Sequence, residues 1–546
     1  MKPAIKNALI LAFAAASAAQ AQVGYDRLLH TEKEPQNWLT YSGNYNSQRY
    51  SLLNQITPDN VKNLELQWVF QARSLEKYEA TPIVVDGVMY TVQDPDDVVA
   101  LDPATGRVFW TFSYTPSPDS RPCCGRLSRG VAVLGDKVFI GTIDARLIAL
   151  DARNGKPIWN VEVDKPADGY AVTHAPLVVK DKVIVGVAGG EYGIRGHIDA
   201  FDANTGKHVW RFYTIPGKGE KGNETWAGDS WKTGGASVWV TGSYDPDSNL
   251  TYWGIGNPGP DWNGDVRDGD NLYSDSVVAL DADTGVLKWY YQFSPHDEFD
   301  YDSVQVPVLA DIQMPGTSRP RKVMLWGNRN GLFYVLDRTS GQFIMGKPFV
   351  KVTWMNGFDE RGRPMKVAAA ASSREGTLIY PGNQGGTNWY NPSYSPATGL
   401  FYIPAWEDYS SLFVKQDATY VKGQTYGGGG PRNVTPPVVA GSFNYRKEGE
   451  QYGVVRAIDP KTGEKKWDFP MSDVTDAGIM TTASNVLFSG GRDGYFFALD
   501  ARNGKLLWKA TMGGRVTSGP MTYMIKGRQY VAVCAGNALF VYALRQ

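Results

Sequence analysis

One phrase recurs along the chain and limits its fold more than any other feature of the sequence. A hydrophobic residue and Asp are followed by three residues, a Gly, three more residues and a Trp. The copies are LDPATGRVFW (101–110), LDARNGKPIW (150–159), FDANTGKHVW (201–210), LDADTGVLKW (280–289), IDPKTGEKKW (458–467) and LDARNGKLLW (499–508), and a further copy, LDRTSGQFIM (336–345), ends in Met. Trp68 resembles the end of a copy whose beginning is missing or lies elsewhere.

Each copy has the composition of a β-hairpin. Asp and the Thr-Gly or Asn-Gly pair suit a tight turn, and alternating hydrophobic residues on both sides suit strands. A second strand pair precedes most copies, as in VVDGVMYTVQ (84–93) and VLGDKVFIGT (133–142). One repeat is therefore expected to contain about four short strands.

The spacing of the repeats predicts the architecture. Their closing positions are 68, 110, 159, 210, 289, 345, 467 and 508, and intervals of 41 to 51 residues recur, with longer gaps where insertions fit. Four-stranded units of roughly 40–50 residues are typical of a β-propeller. We therefore predict an all-β, single-domain chain: an eight-bladed β-propeller with Trp-ended repeats over residues 22–546, closed by pairing of the last strands with the strand near Trp68. Two separate β domains are the alternative, although no Pro/Ser-rich linker is visible.

The first residues have the three-part pattern of a cleaved secretory signal. Two lysines precede an apolar run (8–16) and the small-residue site AQA (19–21). We predict that residues 1–21 are a signal peptide and that the mature protein works in the periplasm; a buried N-terminal helix is the alternative. No other segment approaches the roughly 20 apolar residues of a spanning helix, so no membrane span is expected.

The charge balance excludes one class of function. The chain has 546 residues, with 55 Lys and Arg against 56 Asp and Glu, and it contains no basic block. Nucleic-acid binding therefore has no electrostatic basis.

The cysteines are few and two of them are adjacent. Cys123 and Cys124 form a CC pair, Cys534 stands alone, and no CxxCH motif for a covalently attached c-type haem occurs. Adjacent cysteines can bridge only through a strained eight-membered ring. From the residues alone the pair is either two free thiols or, when oxidised, a flat and rigid apolar plate.

Carboxylates are dense in the stretch PHDEFDYD (295–302). Asp297, Glu298, Asp300 and Asp302 lie within six positions. Such carboxylates repel one another unless water screens them or a cation is near. The stretch is thus either a solvated acidic loop or one half of a metal site.

Taken together, these features give a specific resemblance. From about Trp38 to the C-terminus the chain resembles the alcohol dehydrogenases that depend on pyrroloquinoline quinone (PQQ), in the methanol/ethanol dehydrogenase family. The resemblance implies PQQ on the propeller axis, between a Trp and a vicinal disulfide. The positions that match cofactor-binding residues are Glu79, Cys123, Cys124, Arg129, Thr173, Trp239, Arg329, Asn388 and Trp389. Gly125 and Ser128 stand where relatives often have Asp and Asn, so polar contacts near the plate are expected to differ.

The resemblance also implies a metal site. Its ligands would be Glu191, Asn257, Asp300 and Asp302. The alternation Asp300-Tyr301-Asp302 is compatible with a strand-like segment that puts both carboxylates on one side. Hard oxygen ligands suit a hard cation. Calcium-using relatives generally have a small neutral residue at the position of Asp302, so we expect one lanthanide ion, with Ca²⁺ as the alternative.

The implied reaction is the oxidation of a small primary alcohol to an aldehyde. Hydride passes to PQQ, the metal acts as Lewis acid, and the catalytic residues are Asp300, as base, and Arg329, which stabilises charge on the quinone oxygen. A separate soluble cytochrome c is the expected electron acceptor, and a homodimer is expected by analogy. Two hypotheses compete: a non-enzymatic periplasmic propeller scaffold of the outer-membrane assembly type, which needs no CC pair, and a glycosidase, which leaves the CC pair and Trp239 unexplained.

Overall fold

The computed structural model describes residues 23–433 and 451–546. Nearly all regular structure in these residues is β-strand, as the repeats predicted. The strands form seven four-stranded sheets, one five-stranded sheet and two smaller ones within the described ranges. The predicted signal peptide (1–21) lies outside the described residues.

The first five sheets follow one another along the chain, and each is an antiparallel meander. The first two strands of the chain, β1 (Tyr50–Ser51) and β2 (Leu64–Gln71), belong to later sheets. Sheet 1 contains β3 (Ile83–Val85), β4 (Val88–Gln93), β5 (Asp97–Leu101) and β6 (Val108–Phe112). Sheet 2 contains β7 (Ala132–Leu134), β8 (Lys137–Gly141), β9 (Arg146–Asp151) and β10 (Pro157–Glu162). Sheet 3 contains β11 (Leu177–Val179), β12 (Lys182–Gly186), β13 (His197–Asp202) and β14 (His208–Tyr213). Sheet 4 contains β15 (Ser243–Asp245), β16 (Leu250–Gly254), β17 (Ser276–Asp281) and β18 (Leu287–Gln292). Sheet 5 contains β19 (Val308–Ile312), β20 (Arg321–Gly327), β21 (Leu332–Asp337) and β22 (Phe343–Pro348).

The remaining sheets include insertions and strands from the start of the chain. One insertion forms the pair β23 (Met355–Phe358) and β24 (Pro364–Lys366), and a three-stranded sheet combines β25 (Thr377–Ile379), β28 (Ser411–Lys415) and β29 (Gly429–Asn433). Sheet 6 contains β26 (Ser393–Ser395), β27 (Leu400–Glu407), β30 (Tyr452–Asp459) and β31 (Glu464–Pro470). Sheet 7 contains β32 (Met480–Thr482), β33 (Val486–Gly490), β34 (Tyr495–Asp500), β35 (Leu506–Thr511) and, parallel to β32, β1. Sheet 8 contains β36 (Met521–Ile525), β37 (Arg528–Ala535), β38 (Ala538–Leu544) and β2.

Sheet 8 joins the two ends of the described chain. Its outer strand is β2, which pairs antiparallel to β38 so that Trp68 lies opposite Val541. The repeat that ends at Trp68 therefore begins near the C-terminus. The pairing predicted for the strand around Trp68 is the one observed.

The repeated phrase forms the contact between neighbouring sheets. In each of these hairpins the turn closes with positive φ at Gly. In six of the seven, a Trp ring of the preceding sheet lies over that Gly, and over Gly463 the side chains of Met345 and Lys347 take its place. A Cβ at Gly155 would come within 2.5 Å of the Trp110 ring, and Trp110 Nε1 donates to the carbonyl of Ala152 at 3.1 Å. Trp467 covers Gly504 in the same way. Glycine is required at position 155 for two reasons: the φ of Gly155 is +72°, and no side chain fits under the Trp110 ring.

Helices are short. They are α1 (Tyr25–Leu29) and the 3₁₀ turns Thr31–Lys33, Val61–Asn63, Pro166–Asp168, Gly190–Tyr192, Asn223–Thr225, Ser230–Thr233, Gly264–Val266 and Ala368–Ala370. Within the described ranges, none is long and apolar enough to cross a bilayer.

His174 is a buried, neutral base between sheets 2 and 3. Its Nδ1 is 2.8 Å from the carbonyl of Ala175, and its Nε2 accepts from the backbone N–H of Gly186 at 2.9 Å. Burial, with Arg129 nearby, lowers its pKa to about 4. A second proton would face the Gly186 N–H, so the folded protein resists protonation there.

Acid should therefore destabilise the wild type through His174. The unfolded chain takes up the proton near the ordinary pKa of about 6.5, so stability falls as the pH drops below that value and the loss is complete below about 4. Between about pH 7.5 and about pH 5 the loss assigned to this residue is about 2 kcal/mol. Urea unfolding of wild type and His174→Gln at both pH values measures it. The variant should lose less stability on acidification, and an equal loss would contradict the assignment.

Candidate active site

The predicted site residues surround one cavity. They come from segments that precede the first strands of sheets 1 to 6 and from segments that follow the second strands of sheets 3, 4 and 5. In an antiparallel pair the start of one strand and the end of the next lie at the same edge, so these segments meet. The cavity has a volume of about 260 Å³. Its lining includes Glu79, Cys123, Cys124, Arg129, Thr173, Glu191, Trp239, Asp300, Asp302, Arg329, Asn388 and Trp389.

Asn257 is the one predicted site residue that does not line this cavity. It is buried behind Asp302, whose Oδ1 accepts from the Asn257 backbone N–H at 3.0 Å. Its side-chain Oδ1 is directed toward Gly190, because a Cβ at that glycine would lie 4.0 Å from it. Gly190 precedes Glu191, so the two residues predicted as metal ligands from sheets 3 and 4 are neighbours.

Two walls of the cavity are flat and apolar. Cys123 and Cys124 are joined by a disulfide, which decides between the two states that the residues alone left open. Trp239 lies in an extended segment before β15, where Ser237 and Trp239 line the cavity while Val238 packs on Gly186. Disulfide and indole thus border the same space.

A buried arginine supplies positive charge at one end. The guanidinium of Arg129 is 4.9 Å from the ring centroids of both Trp239 and Trp389. It forms an ion pair of 2.9 Å with Glu79. Among the described residues its Nε has no hydrogen-bond partner, so one buried donor is available to a ligand.

Arg329 links the two carboxylates of the acidic stretch. Its Nη2 is 2.8 Å from Asp300 Oδ2 and its Nη1 is 2.6 Å from Asp302 Oδ2. Its Nε donates to the carbonyl of Asn383. One guanidinium therefore orients both carboxylates.

The expectation of a strand-like segment at Asp300-Tyr301-Asp302 was wrong. The segment is irregular, and Asp300 has φ of +58°. Asp297 causes the irregular path, because its Oδ2 accepts from the backbone N–H groups of Phe299 (3.2 Å) and Tyr301 (3.1 Å) and forms a turn. Asp tolerates the left-handed region better than most residues. Both carboxylates still point to one side, toward Arg329.

The position of Glu191 is set by the local backbone. It lies in the 3₁₀ turn Gly190–Tyr192, which is flanked by Gly189 and Gly193 in left-handed conformations. These glycines allow the chain to reverse within a few residues. Glu191 Oε1 lies 4.0 Å from Cys124 Sγ, so the carboxylate contacts the disulfide wall.

The pKa values of the carboxyl groups at this site are raised above their ordinary values. Burial, and then the charge of Asp302, raise the pKa of Glu191 to about 7. Burial also raises the pKa of Asp300 well above its ordinary value, although Arg329 opposes the shift. The pKa of Asp302 is raised for the same reason. Burial thus opposes ionisation of all three carboxyl groups, whereas the positive charge of Arg329 favours it.

The residues present fit both PQQ and a hard cation. A planar, apolar-walled cavity with an unpartnered guanidinium N–H suits a flat, anionic cofactor. Excess carboxylate beside a neutral amide oxygen suits a cation with oxygen ligands. Within the described ranges, Cys123, Cys124 and Glu191 are the only group of three potential ligands within 4.8 Å of one another. Because both sulfurs are in the disulfide, this group itself is not a metal site.

Sequence reasoning missed several residues of the site. Lys77, Ser237 and Gln384 also line the cavity. Asp261 is buried beside Asn257, and its position four residues after Asn257 was the available signal. In contrast, the lining does not include the insertion residues Trp226, Trp231 and Trp262.

Comparisons with known proteins agree with this site. Residues 38–354 and 469–531 match the family described as PQQ: glucose/ethanol/alcohol dehydrogenase, beta-propeller domain. The chain is 37% identical to quinohemoprotein alcohol dehydrogenase ADH IIB of Pseudomonas putida, over 98% of this chain and 79% of that protein. It is 36% identical to the lanthanide-dependent methanol dehydrogenase of Methylacidiphilum fumariolicum, over 97% of this chain and 90% of that protein. A solved europium-containing methanol dehydrogenase has a TM-score of 0.86 and 32% identity, covering 95% of this chain and 100% of that structure.

The chain therefore belongs to the family of PQQ-dependent alcohol dehydrogenases. It is an enzyme with the all-β propeller fold of that family. The family assignment favours the enzymatic hypothesis over the scaffold and glycosidase alternatives.

Removing Arg329 should destabilise the protein. We expect Arg329→Met to lower the free energy of unfolding by about 3–5 kcal/mol, because it leaves buried carboxylates without their counter-ion. The loss should be smaller at acidic pH, where the carboxyl groups are protonated. Urea unfolding at two pH values measures this. The double variant Arg329→Met/Asp302→Asn should lose less than Arg329→Met alone, and an additive loss would contradict the pairing.

Proposed function

We propose that the protein is a periplasmic quinoprotein dehydrogenase that oxidises a small primary alcohol to an aldehyde, with PQQ as hydride acceptor and a bound cation as Lewis acid. The observation that carries the proposal is the pair of carboxylates held by Arg329 at a cavity that is also bordered by the disulfide and Trp239. The propeller is proposed to have eight blades, one for each of sheets 1 to 8, within a mature domain of residues 22–546.

The proposed cofactor contacts follow from the lining. Trp239 and the Cys123–Cys124 disulfide are the flat walls that would fix the cofactor plane and exclude water. Arg129, with its free Nε, would bind an anionic group, and Glu79, Thr173, Asn388 and Trp389 complete that end. When bound, PQQ supplies a two-electron acceptor and the cation supplies Lewis acidity.

Asp300 is the proposed general base. Its carboxylate lines the cavity and retains partial exposure, 21% of the side chain, so a substrate hydroxyl can reach it. Arg329 orients Asp300 through the 2.8 Å contact and keeps a positive charge at the reacting end of the cavity. From this position Asp300 would accept the hydroxyl proton of the alcohol, and bound PQQ would supply the acceptor for the hydride of the adjacent carbon.

The proposed metal ligands are Glu191, Asn257, Asp300 and Asp302. Three of these ligands are carboxyl groups, and the guanidinium of Arg329 contacts two of them, Asp300 and Asp302. A trivalent ion offsets one more carboxylate than Ca²⁺ does, and Asp302 is the additional carboxylate of this site. We therefore propose one lanthanide ion, with Ca²⁺ as the alternative. The named lanthanide dependence of one relative and the europium of one solved neighbour support this choice.

The remaining proposals concern partners and location. A soluble cytochrome c is the proposed electron acceptor, since the chain has no CxxCH motif. The N-terminal pattern supports secretion to the periplasm. A homodimer is proposed by analogy with the family.

Reconstitution tests the reaction and the role of Asp300. Purified protein given PQQ and La³⁺ should reduce an artificial electron-acceptor dye when ethanol is added. Asp300→Asn should lower the rate roughly 10²–10⁴-fold, because the general base is lost. Asp268→Asn, which removes an exposed carboxylate, should match the wild type. Absence of alcohol-dependent reduction in the wild type would refute the proposed activity.

The choice of metal depends on Asp302. Asp302→Ser should abolish lanthanide-dependent activity and favour Ca²⁺, because it removes one carboxylate from the site. Activity of both proteins is measured over parallel titrations with La³⁺ and Ca²⁺. Unchanged La³⁺ dependence in the variant would show that the Asp302 side chain has been assigned wrongly.

A further inference from the structure

Asp261 is a buried carboxylate outside the proposed ligand set. It belongs to the segment GNPGPD (256–261), which follows β16, and only 5% of its surface is exposed. Its Oδ1 accepts a hydrogen bond of 2.9 Å from Asn257 Nδ2. A buried charge at this place requires a reason, because desolvation of a carboxylate is costly.

The hydrogen bond fixes which way the Asn257 carboxamide faces. The NH₂ group of Asn257 is the donor of this bond, so it faces Asp261. The carbonyl oxygen is then turned the other way, toward Gly190, the residue before Glu191. The backbone N–H of Asn257 is held as well, by Asp302 Oδ1 at 3.0 Å. The orientation of the Asn257 side-chain oxygen, the proposed ligand atom, is therefore fixed.

The Asp261 segment is anchored to the same insertion as Glu191. The backbone N–H of Trp262 donates to the carbonyl of Gly427 at 2.9 Å, and that of Tyr426 donates to the carbonyl of Glu191 at 2.7 Å. On the other side, Arg267 donates to the carbonyl of Pro260 through Nε and Nη2. Tyr426 and Gly427 are consecutive residues, so the segments of Asp261 and Glu191 are held at a fixed separation.

We propose that Asp261 is a positioning residue of the metal site: it directs the Asn257 carbonyl oxygen at the cation and adds a negative charge just outside the ligands. The inference rests on the proposed metal site. Groups that hydrogen-bond to a metal ligand fix its orientation, and their loss typically weakens metal binding roughly 10–100-fold. Asp261→Leu removes both the acceptor and the charge, whereas Asp261→Asn keeps an acceptor oxygen for Asn257 and removes only the charge.

Luminescence of bound Eu³⁺ separates these two contributions. Protein freed of metal is titrated with Eu³⁺ in the presence of PQQ, and decay lifetimes in H₂O and D₂O report the number of waters on the ion. Asp261→Leu should raise Kd roughly 10–100-fold and add a bound water, because the Asn257 oxygen no longer reaches the ion. Asp261→Asn should also bind more weakly but keep the wild-type number of waters. A simple folding defect would not give this difference between the variants.

Two further proteins distinguish the failure of this inference from that of the proposed function. Asp268→Asn, which removes an exposed carboxylate in the same loop, should keep the wild-type Kd and water number. Glu191→Gln, at a proposed ligand, should weaken binding. If Glu191→Gln binds Eu³⁺ as the wild type does, the proposed metal site is wrong. If Glu191→Gln weakens binding but Asp261→Leu keeps the wild-type Kd and water number, the inference about Asp261 alone is overturned.

Discussion

The contact between an aromatic ring on one sheet and a glycine turn on the next determines where everything else in this molecule lies. Trp110 on Gly155 and Trp467 on Gly504 are two instances, at the outer edge of neighbouring sheets. Each contact requires a positive φ and an absent side chain at one end, and a large flat ring at the other. The sequence phrase is repeated because the same contact between neighbouring sheets is repeated. These contacts bring the opposite edges of the sheets to one cavity.

At that cavity the dominant constraint is charge. Asp300 and Asp302 share Arg329, while Glu191 and Asp261 have no guanidinium at hydrogen-bond distance among the contacts of the described chain. A fold does not normally gather buried carboxylates, because each costs free energy when it is desolvated and each raises the pKa of the others. The proposed cation would offset this charge, so the proposal of a metal site rests on electrostatics as well as on shape.

Periodicity made most of the fold predictable, and irregular backbone limited the prediction of the site. The hairpins, the four-stranded units and the pairing of the Trp68 strand followed from the spacing of Asp, Gly and Trp. The path of Asp300 did not, because it depends on Asp297 accepting two backbone N–H groups, a local turn that alternation cannot reveal. Asp261 was missed because its role depends on the direction of a neighbouring amide, which only coordinates show. The family resemblance, and not the residue pattern, located Arg129 and Thr173.

The regular frame and the insertions contribute different things to the site. The frame supplies Trp239, Arg129 and Arg329 from the ends of strands, where neighbouring sheets hold the backbone on both sides. The insertion that contains Tyr426 and Gly427 instead crosses over to the segments of Glu191 and Asp261 and hydrogen-bonds to both. These hydrogen bonds use backbone atoms of the insertion, and the rings of Tyr420 and Tyr426 in addition pack against Gly193, which ends the turn of Glu191. The insertion therefore holds the segments of Glu191 and Asp261 in place through both its backbone and its aromatic side chains.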